Sequence, residues 1–271
     1  MVFRTNVSLA EFSNYKIGGP ARYFFDAVNL DELRWVDGLV IRISLKSLRS
    51  EENTIHAEAG VLMENLVAEA ARAGLSGLEW AGGLPGTVGG SVRGNAGAFG
   101  GEMKDSIVSV KSLNTKTLEV VERNNAECRF AYRSSIFKEK RGEEIVLAAT
   151  FSLRSGNLED VRKGMWEKIN YRITKHPMEY PNIGSIFKNI PASEMGISVS
   201  KPEKDLLLVS VERNGVTYSI PVKMDPFPVV PAAYLISEAG LRGFRAGGAM
   251  VSDKHPNFIV NIDHATAADV K

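Results

Sequence analysis

The chain has little of what several large protein classes require. A single residue of 271, Cys128, is cysteine, which excludes an internal disulfide and suits a reducing compartment. Flanked by Glu127 and Arg129, with no evident His–Asn partnership in the sequence, that thiol reads as a passive residue rather than a nucleophile. The four histidines, His56, His176, His255 and His264, follow no HExxH or CxxC spacing, so no metal site is expected. No stretch approaches the ~18 apolar residues of a membrane span, and residues 1–6 lack an apolar signal core. The protein is therefore expected in the cytoplasm, without membrane insertion. Charge of one sign is lacking too. The 33 basic and 32 acidic residues leave a net +1, which gives no electrostatic footprint for nucleic acid. Any anion it binds must be held by local groups.

Apolar residues are plentiful, at 44% of the chain, enough for a sizeable core and for two lobes rather than one. Residues 39–45 alternate apolar and polar and predict a half-buried strand. Residues 62–73 predict a helix with Leu62, Leu66, Ala70 and Ala73 on one face, closed by Gly74 as a left-handed cap. Strands are predicted at 107–113, 117–122 and 145–153, and a helix at 157–171 whose Leu158, Val161, Met165 and Ile169 recur at helical spacing. Two β-rich runs over 206–222 flank Asn214-Gly215, the strongest short hairpin signal. A short helix is framed by Pro231 and Gly240, and residues 257–262 return as a strand. Without regular βαβ alternation the fold class is α+β.

Glycine is concentrated where it is least favourable for regular structure. Nine of the twenty residues from Gly82 to Gly101 are glycine, and each costs roughly 0.5–1 kcal/mol in a helix or strand interior. Such a segment suits tight turns and close approach of main-chain N–H groups to a phosphate or a flat cofactor. It does not stand alone. Asn14-Tyr15-Lys16-Ile17-Gly18-Gly19-Pro20-Ala21 precedes it, and Tyr132-Arg133-Ser134-Ser135-Ile136-Phe137-Lys138 follows. Then come Pro181-Asn182-Ile183-Gly184-Ser185-Ile186-Phe187-Lys188-Asn189 and the run from Gly247 to Asn261.

In this order the blocks closely resemble the UDP-N-acetylenolpyruvoylglucosamine reductase (MurB) family, from about Asn14 to the C-terminus. The PGTVGG…NAGAFGGE run, YRSSIF and GSIFKN are the specific ones. The resemblance implies a vanillyl-alcohol-oxidase/MurB-type FAD-binding fold, with two FAD-binding lobes at about 1–75 and 76–154. A C-terminal substrate-binding α+β lobe would span 155–271, with a hairpin insertion at about 191–230. It also implies FAD reduced by NADPH, and UDP-N-acetylglucosamine enolpyruvate as substrate on the route to peptidoglycan. Carried over block by block, Ile17, Gly18, Gly19, Gly83, Pro85, Gly86, Thr87, Val88, Gly89, Gly90, Asn95, Gly97 and Gly100 would hold FAD, with Asn95 at the ring edge.

Ser185 would donate the proton to the substrate carbon, and Arg133 would hold the enolpyruvyl carboxylate with its planar fork. Tyr180, Lys188 and Asn189 would contact the sugar nucleotide. Another FAD oxidoreductase of the same fold, or a non-catalytic scaffold, are the alternatives.

The chain also departs from that family. Leu33-Arg34-Trp35-Val36 runs straight into Asp37-Gly38-Leu39-Val40, where relatives carry a helix, a strand and a Gly-x-Gly-Ser-Asn-type loop around the FAD pyrophosphate. A longer parent chain and a genuine deletion both fit that junction. The family's catalytic glutamate lies beyond the final strand, and no residue up to Lys271 inherits its role.

Overall fold

The computed structural model describes residues 4–34, 40–199, 206–225 and 227–271; the Val36–Asp37 junction lies outside them. The chain divides into two compact units. The first takes residues 1–9 and 19–172, the second 10–18 and 173–271. The division between compact units falls after Arg172, beyond the 154/155 at which the resemblance sets the boundary between FAD-binding and substrate-binding domains. The reason is the helix Leu158–Lys175, which runs on past the expected end at Tyr171 until Pro177 approaches. Its Val161 and Arg172 are buried, and Met165 packs on the core of the first unit.

Two sheets organise the first unit. In the smaller, Arg4–Ser8 pairs antiparallel with Pro20–Ala27, which pairs parallel with Val40–Ile43. The larger is fully antiparallel, in the order Val120–Asn124, Ile107–Asn114, Glu144–Ser152, Thr54–Glu58, Leu48–Glu51. Alternation sets its faces: Ile55 and Ala57 are buried while His56 between them is exposed. Against it lie the helices Met63–Arg72 and Val88–Gly94. Met63, Leu66, Val88 and Val92 join Val110, Phe137 and Phe151 in one core. A second cluster, Phe25, Ala27, Leu33, Leu45, Leu113 and Leu147, draws on both sheets.

Most predicted elements are present within a few residues. Met63–Arg72 ends on Gly74 at φ +67°. The strand expected at 117–122 begins only at Val120. The Asn114 amide oxygen accepts from the N–H groups of Lys116 and Thr117 at 2.9 and 3.0 Å, and Leu118 sits at φ +59°. Those groups belong to a turn and cannot join a ladder.

In the second unit Leu206–Arg213 and Val216–Lys223 form the expected hairpin, with Asn214 and Gly215 at φ +52° and +74°. The hairpin closes a four-stranded sheet over Ala192, Ile197, Val222 and Val230. A three-stranded sheet carries Met250, Phe258 and Val260. Among the described residues no helix is long and apolar enough to cross a membrane, and no cluster of His, Cys, Asp and Glu could hold a metal ion.

Cys128 lies in the main core, fully buried. Burial pushes its thiol up to about 11, so it stays protonated at neutral pH. A thiol-specific reagent at pH 7 is expected to label it only as the protein unfolds. Labelling of the native protein at the rate of a free thiol would refute that.

Candidate active site

Arg133 sits at the tip of a tight turn closed by reciprocal hydrogen bonds between Ala131 and Ser134, both 3.0 Å. Its φ is +55°, a left-handed conformation normally taken by glycine or asparagine at the third position of a turn. Holding a bulky side chain there costs on the order of 1–3 kcal/mol, and such strain clusters at functional sites.

The surroundings hold it. Asn95 Nδ2 donates to Ala131 O at 3.0 Å, Ser135 Oγ to Arg93 O at 2.7 Å, and Lys138 Nζ to Arg133 O at 2.8 Å. Below the turn Ile136 and Phe137 anchor in the core. These contacts explain much of the YRSSIF block: most of its residues fix a strained arginine. The Arg133 guanidinium donates through Nη2 to Gly97 O, lies 5.1 Å from the Tyr132 ring and is about a third exposed. A fixed cation with one side open to solvent can take a carboxylate.

The glycine-rich segment divides into two classes. At Gly89 an added Cβ would stand 2.8 Å from Ala59 Cβ, and at Gly83 (φ +72°) 3.1 Å from Arg172 Cδ. At Gly97 it would meet Glu102 Cγ at 2.6 Å and Arg133 Nη1 at 3.1 Å, and at Gly101 the Trp80 ring at 2.3 Å. These positions are glycine because the protein itself fills the space. Gly86 (φ +103°), Gly94 and Gly100 (φ +81°) have nothing within 4 Å of that position. Gly86 and Gly100, like Pro85 and Gly90, are exposed. Thr87 Oγ1 accepts from Gly90 N at 3.4 Å, and Val88 is core. Gly19 is likewise open, and its carbonyl accepts from Leu9 N; Ile17 and Gly18 belong to the second unit.

Asn95 departs from its expected place at a flavin edge. It is completely buried. Its amide donates to Glu102 Oε2 at 3.2 Å and to Ala131 O, and its oxygen accepts from Lys104 N at 3.0 Å. Its hydrogen-bonding groups serve the protein, joining the glycine-rich segment to the Arg133 turn.

In the second unit, Ser185 lies exposed in an irregular loop clamped at both ends. Gly184, at φ +87°, donates to Asn182 Oδ1. Beyond Ser185, the buried Asn257 receives Ile186 N on its carbonyl and Phe187 N on its side-chain oxygen, while its Nδ2 donates to Phe187 O at 2.9 Å. The hydroxyl itself makes no hydrogen bond among the described residues. Asn189 Oδ1 accepts from Ala232 N at 3.1 Å, capping the helix Ala232–Glu238. That oxygen is engaged in the fold, which leaves the Asn189 amide nitrogen for a ligand. Lys188 is exposed and Tyr180 is 40% exposed.

Sequence reasoning passed over two further groups. Glu102, 6% exposed, is ion-paired with Lys104 at 2.9 Å and lies 3.8 Å from Arg133. Arg172, 7% exposed, donates to Gly82 O at 2.8 Å and Trp80 O at 3.2 Å, with Phe99 (φ +52°) 5.0 Å from its guanidinium. Burial lowers the pKa of Arg172, as expected where carbonyls rather than a carboxylate surround a guanidinium. An acidic residue directly after the glycine-rich run, whose one other charged residue is Arg93, was the available signal for Glu102. A helical residue at the 161, 165, 169, 172 spacing was the signal for Arg172.

Residues 28–122 match the FAD binding domain family, and residues 176–271 match the C-terminal domain of UDP-N-acetylenolpyruvoylglucosamine reductase. The reductase of that name from Carboxydothermus hydrogenoformans is 36% identical, over 98% of this chain and 84% of the relative. The one from Lachnoclostridium phytofermentans is 34% identical over 98% and 83%. The alignment with the first spans 298 positions against 271 residues here, so at least 27 of its positions face no residue of this chain. The crystal structure of the Thermus caldophilus reductase superposes with a TM-score of 0.75 at 28% identity, covering 99% of this chain and 92% of that one. Similar along almost its entire length to these proteins, in sequence and in fold, the chain belongs to the UDP-N-acetylenolpyruvoylglucosamine reductase family.

Proposed function

We infer that the protein is an FAD-containing reductase that uses NADPH to convert UDP-N-acetylglucosamine enolpyruvate to UDP-N-acetylmuramate in peptidoglycan precursor synthesis. Such a reaction places it in the cytoplasm, where both nucleotides are made. The observation that carries the reading is the Arg133 turn: a strained main chain held by Asn95, Ser135 and Lys138, with the guanidinium on Gly97 O, in a chain related throughout to reductases of that name.

The residues fit the flavin. Gly86, Gly94 and Gly100, with nothing within 4 Å of where a Cβ would stand, and the exposed Pro85 and Gly90 would present main chain to the cofactor. Thr87 would add to this surface, and Ile17, Gly18 and Gly19 are further candidate contacts, while Gly83, Val88, Gly89, Asn95 and Gly97 shape the segment from within. Bound there, FAD supplies the redox chemistry, taking electrons from NADPH and returning them to the enolpyruvyl double bond.

The chain's own residues do the rest. Arg133 holds the substrate carboxylate and stabilises the negative charge that grows on it as the double bond is reduced. Ser185 gives its hydroxyl proton to the neighbouring carbon, and the alkoxide left behind is reprotonated from solvent or a neighbouring acid. Tyr180, Lys188 and the Asn189 amide contact the sugar nucleotide. NADPH oxidation that depends on the enolpyruvyl sugar nucleotide would support this reading. Oxidation that is independent of it, with oxygen consumed instead, would point to an oxidase, and protein that gains no visible absorbance on adding FAD would point to a scaffold.

A further inference from the structure

The Glu102 carboxylate is satisfied on one side only. Its Oε2 receives Asn95 Nδ2 at 3.2 Å and Lys104 Nζ at 2.9 Å, and the side chain also faces the Asp105 N–H as one half of a capping box. Its Oε1 is buried and has no hydrogen-bond partner. A buried carboxylate oxygen with no donor is unfavourable, and Arg133 Nη1 faces it at 3.8 Å, an ion-pair distance too long for a hydrogen bond. Gly97 lies over both groups, where a Cβ would strike Glu102 Cγ and Arg133 Nη1. The packing of the segment is therefore built around this pair.

We propose that Glu102 is a positioning residue for Arg133, its Oε1 closing on Nη1 as substrate engages, and that Lys104 balances its charge so that Arg133 stays available to a carboxylate. The inference rests on the reading of Arg133 given above. A shift of about 1 Å brings 3.8 Å to the usual ~2.9 Å of such a bond. With Nη2 on Gly97 O and Nη1 on Oε1, the guanidinium plane is fixed. A lone Glu102–Arg133 pair would be neutral and would attract an anion poorly. Asp105, whose Oδ2 accepts from Glu102 N at 2.7 Å, adds a second carboxylate beside Lys104, so the Lys104 ammonium is what keeps Glu102 and Asp105 from outweighing Arg133, and Glu102 in turn raises the Lys104 pKa through their hydrogen bond.

The two partners therefore have opposite signatures. Glu102→Gln removes the anchor and adds net positive charge, so kcat should fall at least tenfold with the sugar-nucleotide KM unchanged or lower. Lys104→Met leaves Glu102 to neutralise Arg133, so KM should rise severalfold with kcat within about threefold of the parent. Flavin reduction by NADPH should be unaltered in both. Lys104 is 41% exposed on its side chain, so its variant reports even where Glu102→Gln folds poorly, and Glu102→Asp, which keeps the charge and withdraws Oε1, should lose kcat as Gln does. Parallel changes in KM for the Gln and Met variants, or an unchanged KM in Lys104→Met, would overturn the proposal. If Arg133→Ala itself turns over normally, the reading of Arg133 is what fails. If Arg133→Ala is inactive while Glu102→Gln is like the parent, only the inference fails.

Discussion

Ser185→Ala is expected to turn over the enolpyruvyl sugar nucleotide 10²–10⁴-fold more slowly, the usual contribution of a positioned proton donor, while flavin reduction by NADPH proceeds at the parental rate. The split follows from where the side chain sits. Ser185 is exposed, and the loop is held by Gly184, Asn182 and Asn257 rather than by the hydroxyl. Removing that oxygen leaves every clamp intact, so stability should change by no more than about 0.5 kcal/mol. Single-turnover measurements separate the two half-reactions: absorbance bleaching on adding NADPH, then its recovery on adding sugar nucleotide. Recovery at more than a tenth of the parental rate would remove Ser185 from the chemistry.

Asn95→Ala is expected to lose about 3–4 kcal/mol of stability, the largest effect foreseen for a substitution outside the apolar core. Three hydrogen bonds disappear, to Glu102 Oε2, Ala131 O and Lys104 N. Each contributes about 1 kcal/mol, and the buried groups left without a partner add to the loss. The backbone contributes as well, because Asn95 caps the helix Val88–Gly94 at φ +43°, a region that asparagine tolerates and alanine resists. Asn95→Gly separates the two effects, since it accepts the φ and still loses the bonds; its loss should be smaller by about 1 kcal/mol. Denaturant unfolding monitored by tryptophan fluorescence would measure both. A loss below 1 kcal/mol for Asn95→Ala would mean that the network is replaced by water. Both variants should also slow the sugar-nucleotide half-reaction, because Asn95 fixes the turn that carries Arg133.

These two residues show how unevenly the site could be read in advance. Ser185 stands out in sequence because its whole block is contiguous and needs no partner from elsewhere to be noticed; its part in the chemistry is what the half-reaction measurement decides. Asn95 stands in a block that suits a ligand while its side chain is turned into the protein, and nothing in a linear string tells whether a polar side chain looks outward or inward. The glycines divided in the same way. Gly86 and Gly97 look alike in sequence, yet one borders open space and the other is pressed against Glu102 and Arg133. Glu102 and Arg172 are hard to read for a related reason: a charged residue is ordinarily solvated, and only burial against particular partners gives it a task.

Local chemistry decided the rest of what the sequence revealed. Residue spacing located the helices, Asn214-Gly215 set the hairpin, and the order of the blocks identified the family, because each depends on neighbours a few positions apart. Only the tertiary structure decided that the helix Leu158–Lys175 belongs to the first unit as far as Arg172, which glycines are open, and that Glu102 meets Arg133. Those outcomes depend on contacts between segments 30 to 90 residues apart, and the free energy of such contacts comes from burial and pairing that no local window of sequence contains.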